Sequence, residues 1–158
     1  MGLENVVAEV ELFSGMKPEH VALIAGCASN VRYEAGTFAA RAGSHADHFW
    51  AIREGCMALE LWQPGRGAIT IDTVDKGGVV GYSWLLPPYQ LQFDIHALTT
   101  TRALLFDGHC LRQKCEKDPE LGYELVGRFA RLMTDRIHAL TLQLLDVYGD
   151  HAVAEERG

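Results

Sequence analysis

Four groups of residues in this chain have types and spacing that chemistry can use. Gly81-Tyr82-Ser83-Trp84-Leu85 carries the first glycine and the serine of a nucleophile elbow, a strained turn that exposes a hydroxyl for acyl transfer. The second glycine is missing, and 158 residues are too few for the large α/β scaffold that motif needs, so no catalysis by Ser83 is expected. His45 and His48, with Asp47 between them, could offer two or three ligands to a metal on one turn, or stand as solvated turn residues. His109, Cys110 and Cys115 share one short segment, but a spacing of five sets the thiols on different helix faces. Asp94 and His96 lie two apart, on one face of a strand, where a solvated or hydrogen-bonded pair is a simpler role than an acid-base dyad. No enzyme activity, metal or cofactor is expected from these groups.

The elements that must position any site follow from periodicity. Apolar residues recur at three and four from Val6 to Phe13 and from Pro18 to Cys27, which predicts two short helices, the second with proline in its first turn. Between Asn30 and Phe106 the pattern changes to short runs: VRYEA, TFAARA, HFWAIRE, CMALELW, AITIDTV, LQFDIHAL and TRALLFD. Gly36, Gly43, Gly55, Gly65, Gly67, Gly77, Gly78 and Gly81 sit where those runs end, which predicts sharp reversals in a closed or nearly closed antiparallel body.

After Asp107 the helical period returns. HCLRQKCEK predicts a short helix, and Asp118-Pro119-Glu120 supplies a cap, a first-turn proline and acids at the positive end of the helix dipole. A long helix is predicted from about 119 to 147, stopped by Tyr148-Gly149. Val126, Ala130, Met133, Ile137, Leu140, Leu144 and Val147 step along it by alternating four and three, the seam of a helix that pairs with another helix. A second apolar face, Leu121, Leu125, Phe129 and Leu132, belongs to the chain's own core. The expected organisation is one domain over 1–148 and a disordered tail over 149–158.

Composition narrows the function. A formal charge of -7 argues against a surface built to neutralise phosphates, so direct DNA binding is not expected, and too few residues follow Val147 for a winged helix-turn-helix. No apolar stretch approaches the roughly 20 residues that span a bilayer, and the first residues carry acids where a secretion signal would carry lysine or arginine. The expected location is the cytoplasm. Cysteines at 27, 56, 110 and 115 follow no zinc or iron-sulfur spacing, and in a reducing compartment they are expected to be thiols.

Several stretches together resemble one family. Leu12-Phe13-Ser14-Gly15-Met16, Tyr33-Glu34-Ala35-Gly36, Trp50-Ala51-Ile52-Arg53-Glu54-Gly55 and Gly77-Gly78-Val79-Val80-Gly81 occur in the order found in the cyclic nucleotide-binding domain of the catabolite-activator and fumarate-nitrate-reductase-regulator superfamily. The resemblance covers about residues 10–148. Within it, Gly81-Tyr82-Ser83-Trp84-Leu85-Leu86-Pro87-Pro88-Tyr89 is similar to the phosphate-binding cassette of a stand-alone bacterial subgroup. The implied fold is mainly β with flanking helices: a double-stranded β-helix, or jelly-roll-like β-roll, with short N-terminal helices and a long C-terminal helix that pairs with its twin. The implied function is a regulatory, effector-binding homodimer.

The cassette departs from the family pattern where the ligand is held. The glutamate that holds the ribose hydroxyl is replaced by Tyr82, and the arginine that pairs with the cyclic phosphate falls at Leu91, or by a one-residue slip at Gln90 or Gln92. No arginine lies between Arg66 and Arg102. A buried phosphodiester without a cation costs several kcal/mol, so a small effector other than cyclic AMP or cyclic GMP, or a weakly bound nucleotide, is expected. By resemblance the Gly81, Tyr82 and Ser83 amides face the ligand. The aromatic residues Tyr82, Trp84, Tyr89 and Phe93 either wall a pocket for a planar or apolar compound, or Trp84 and Tyr89 fill it, leaving a ligand-free interaction scaffold. The long helix contributes Asp135 and Arg136 by one alignment and Thr141 by another. The expected ligand set is therefore Gly81, Tyr82, Ser83, Trp84, Gln90, Leu91, Gln92, Arg136 and Thr141.

Overall fold

The computed structural model describes residues 2–157, with side chains described for 2–149. Helix α1 (Glu4–Ala8), a 3-10 turn (Glu11–Phe13) and α2 (Pro18–Ala25) precede the sheets, so the first predicted helix is broken into two pieces. Eight strands follow: β1 (Ala28–Tyr33), β2 (Phe38–Ala40), β3 (His48–Glu54), β4 (Cys56–Gln63), β5 (Gly67–Asp75), β6 (Val79–Val80), β7 (Asp94–Ala97) and β8 (Thr101–Asp107). They form two antiparallel four-stranded sheets, ordered β1-β8-β3-β6 and β2-β7-β4-β5. Helices α3 (Gly108–Lys117) and α4 (Pro119–Arg157) close the chain. This is the β-roll with flanking helices.

The first sheet separates two cores because its central strands are buried on both faces. On β3, Phe49 and Ala51 pack toward the helices while Trp50 and Ile52 face the roll interior, and on β8 Leu104 and Phe106 alternate with Ala103 and Leu105 in the same way. The helix-side core is a stack of rings. Phe49 lies flat on Phe106 at 4.4 Å and on Trp84 at 5.1 Å, and meets Phe129 of α4 edge-on at 5.2 Å. Each fully buried Phe side chain contributes roughly 1.5–3 kcal/mol of transfer free energy, so this stack fixes α4 on the sheet. The reversal from β3 to β4 needs glycine: Gly55 has φ of 97°, and a Cβ there would stand 2.5 Å from the Thr100 carbonyl oxygen.

Two expectations are corrected. Cys27 and Cys110 form a disulfide, with Cα atoms 5.8 Å apart, and only Cys56 and Cys115 are free among the described residues. The cause is register: Ala28 on β1 pairs with Phe106 on β8, so the residue before β1 and the first turn of α3 emerge side by side. Helix α4 also runs through Tyr148-Gly149 to Arg157 instead of stopping there, because a helical glycine costs only about 1 kcal/mol relative to alanine.

Both C-terminal helices start on an aspartate cap, the second of which the sequence predicts. Asp107 accepts the Cys110 amide at 3.0 Å to start α3, and Asp118 accepts that of Leu121 at 3.2 Å to start α4. The first half of α4 packs Leu121, Leu125 and Phe129 into the core. Beyond Arg136 the described part of the helix leaves its own domain. Ile137, Leu140, Leu144 and Val147 are between 40% and 64% exposed.

Candidate functional site

The site is built on the turn that follows β6. Gly81 has φ of 91°, and a Cβ there would lie 3.3 Å from the His48 carbonyl oxygen, so only glycine lets the chain pass this close to β3 and still turn. The Leu85 amide donates to the Tyr82 carbonyl at 3.1 Å, closing a turn whose intervening amides belong to Ser83 and Trp84. Among the described residues none accepts the amide of Tyr82 or Ser83. The far end of the segment is zipped to the 43–46 loop: Ala46 donates to the Tyr89 carbonyl at 2.7 Å, Leu91 to the Ser44 carbonyl at 3.0 Å, and Gly43 to the Leu91 carbonyl at 2.8 Å. From α3, Arg112 donates to the Trp84 carbonyl and lies over the Tyr89 ring, 4.3 Å from its centre.

These contacts leave a narrow cleft. Gly81, Tyr82 and Ser83 form one side, Leu91, Gln92 and Phe93 the other, and Leu59 and Ile95 the floor. Its volume is about 10 Å³, room for about one water. Five expected ligand residues, Gly81, Tyr82, Ser83, Leu91 and Gln92, therefore meet at one place. The floor residues were not expected as site residues, although strand alternation on β4 and β7 turns them inward.

Three expected residues lie elsewhere. Trp84 is fully buried on the helix side, stacked on Phe49 and edge-on to Phe129 at 5.3 Å, so it neither walls nor fills the cleft. The turn after Tyr82 sends its indole into the ring stack, where burial of a large aromatic surface outweighs an indole N–H left without a partner. Gln90 faces outward, donating its side-chain amide to the Gly43 carbonyl at 2.9 Å. Thr141 lies on the exposed part of α4, its hydroxyl bonded to the Ile137 carbonyl of its own helix at 2.8 Å.

Arg136 is brought to the roll. Its guanidinium donates to the Val79 carbonyl, two residues before Gly81. Burial pulls its pKa down from the usual arginine value, while Asp72 and Tyr82 pull it back up. Asp72 pairs with Leu59 across the β4–β5 ladder, which sets it on the face that floors the cleft. The cassette itself carries no cation, and Arg136 of α4 reaches the strand that leads into it.

The other constellations separate. Asp94 pairs with Arg41 at 3.3 Å, whereas His96 stands 3.1 Å from Glu60. His45 sits in a bridge with Gln90. Among the described residues no group of three His, Cys, Asp or Glu side chains is placed to hold a metal ion.

The family model of the cyclic nucleotide-binding domain matches residues 30–118, more than half of the 158 residues, from within β1 through α3. The chain belongs to the cyclic nucleotide-binding domain family. Solved structures share its fold. A candidate cyclic nucleotide-binding protein from Geobacter metallireducens is 23% identical with a TM-score of 0.79, over 87% of this chain and 100% of that one. A cyclic nucleotide-binding domain from Methylobacillus flagellatus is 19% identical with a TM-score of 0.76, over 91% and 85%. The sensor domain of the transcriptional regulator DNR from Pseudomonas aeruginosa is 13% identical with a TM-score of 0.68, over 86% and 94%. No curated protein matches the chain in sequence. In this cyclic nucleotide-binding domain no described helix is long and apolar enough to cross a membrane.

Proposed function

We propose that the protein is a non-enzymatic regulatory module of the cytoplasm that binds a small effector beside Gly81, Tyr82 and Ser83 and works as a homodimer. The observation that carries this reading is the course of α4. Its last roll contact, Arg136, adjoins the cassette, and the stripe of Ile137, Leu140, Leu144 and Val147 starts one residue later, exposed in a single copy. A second copy covering that stripe in an isologous pair removes the apolar surface from water and puts effector binding within reach of the interface. Output then passes to a protein partner and not to DNA, consistent with the formal charge of -7.

The effector is held differently from cyclic AMP or cyclic GMP in the usual family mode, because Tyr82 and Leu91 stand where the ribose-binding glutamate and phosphate-binding arginine belong. Thermal unfolding with cyclic nucleotides and a metabolite panel, alongside sedimentation, tests the reading. A compound at about 100 times its Kd adds roughly 2.7 kcal/mol of stability. A monomer unresponsive to every compound overturns it.

A second reading rests on the cleft volume. With room for about one water, the interior is closed by Leu91, Phe93 and Ile95, as suits a scaffold that binds no small molecule. A dimer that responds to no compound supports this reading.

A further inference from the structure

Arg136 occupies a place that a structural role alone does not require. It is the last residue of α4 that bonds to the roll, and the helix carries exposed apolar residues immediately after it. Its guanidinium is largely withdrawn from water and has one carbonyl partner, Val79, while the charges of Asp72 and Tyr82 favour its protonated form. Five N–H groups on a fixed fork can donate to more than one oxygen, and their natural complement is an oxyanion. Just past Gly81, the Tyr82 and Ser83 amides have no acceptor among the described residues. Two free amides on a turn, with a guanidinium bonded to the strand that enters it, are groups that can serve an anion, the cation coming from the helix and not from the cassette.

We infer that Arg136 receives the anionic group of the effector at Tyr82 and Ser83 and, by exchanging the Val79 carbonyl for that anion, transmits occupancy to the exposed half of α4. The inference rests on the effector-binding reading above and specifies its ligand class: a small compound bearing a phosphate or carboxylate. Asp72 favours the charged guanidinium when the site is empty and competes electrostatically with an incoming anion. Ligand entry therefore replaces one set of partners by another without leaving a buried charge alone.

The test is amide NMR on the full chain, titrated separately with inorganic phosphate, cyclic AMP and the uncharged analogue adenosine. Phosphate and cyclic AMP are expected to move the Tyr82 and Ser83 amides together with those of Ile137 to Leu144, and adenosine to move neither group. Arg136→Gln is expected to weaken both anions about tenfold or more, the loss of roughly one charge-assisted contact. Asp72→Asn is expected to tighten them several-fold, and Arg131→Gln, on the exposed side of α4, to change nothing. Unchanged β3 and β8 amides certify that each variant is folded. The inference is overturned if neither anion moves the cassette amides, if adenosine moves them equally, or if Arg136→Gln titrates like the parent. A neutral panel compound that stabilises the protein while both anions fail would leave the effector-binding reading standing and remove this one.

Discussion

The Arg136 guanidinium donates to the carbonyl oxygen of Val79, tying the last inward turn of α4 to the strand that delivers Gly81. The two residues are 57 positions apart in sequence, and the bond joins the element that turns the cassette to the element that leaves the domain. N-terminal to this point, the inward face of α4 is anchored by Leu121, Leu125 and Phe129. Everything described beyond it is exposed.

Removing the indole of Trp84 should be costly. Trp84→Ala leaves a cavity between Phe49 and Phe129 and is expected to lower stability by about 3–5 kcal/mol, whereas Trp84→Phe should cost well under half of that because it also removes an unpartnered N–H. Urea denaturation checks both. A small effect of the alanine variant would mean that the indole does not hold the cassette to α4.

The exposed stripe of α4 predicts an assembly effect without a folding effect. The double variant Ile137→Glu, Leu144→Glu should sediment as a monomer while the near-ultraviolet signature of the buried rings is retained. An unchanged sedimentation coefficient would show that this face is not where copies meet.

Reduction of Cys27–Cys110 should destabilise the whole domain. The bond closes a loop of 83 residues, for which loop entropy corresponds to about 4–5 kcal/mol. Unfolding with and without a thiol reductant measures the difference, and a Cys27→Ser, Cys110→Ser variant should reproduce the reduced value and ignore the reductant.

Cys115 gives a pH dependence with a defined sign. Burial, then Asp118, push its thiol above the ordinary value of 9.0. The folded protein therefore holds this proton more tightly than the unfolded chain, and its contribution to stability is full below pH 9 and falls as pH rises beyond that value. Cys115→Ala should flatten that part of the stability curve. Alkylation of the Cys115 thiol at neutral pH should likewise be slower than that of a free cysteine.

Much of the fold was legible because it is local. The run TRALLFD is β8 to the residue, and HFWAIRE is β3, since alternation and flanking glycines need no distant information. The two-residue β6 carries too little pattern to be read as a strand. The site was legible in part. Gly81 to Ser83 follow from a turn signal and a family resemblance, but the direction of Trp84 depends on which of two cores its turn faces. Nothing in the cassette signals that its nearest cation is Arg136, because helix and roll are brought together by Phe129 and Leu125 packing far upstream. The disulfide was hidden for a similar reason. Only the β1–β8 register sets Cys27 beside Cys110.

Strands β3 and β8 have no idle side. Trp50 and Ile52 line the chamber beside the cleft while their neighbours Phe49 and Ala51 press on the helices, so the backbone between them is a stiff partition with both surfaces in close contact. A shift of Val80 against Trp50, the cross-strand pair nearest Gly81, has no slack in which to dissipate. It must reappear at Phe49 and, through its edge contact with Phe129, as a tilt of the terminal rod. Packing alone, indifferent to charge, thus joins the strand that delivers Gly81 to the base of α4.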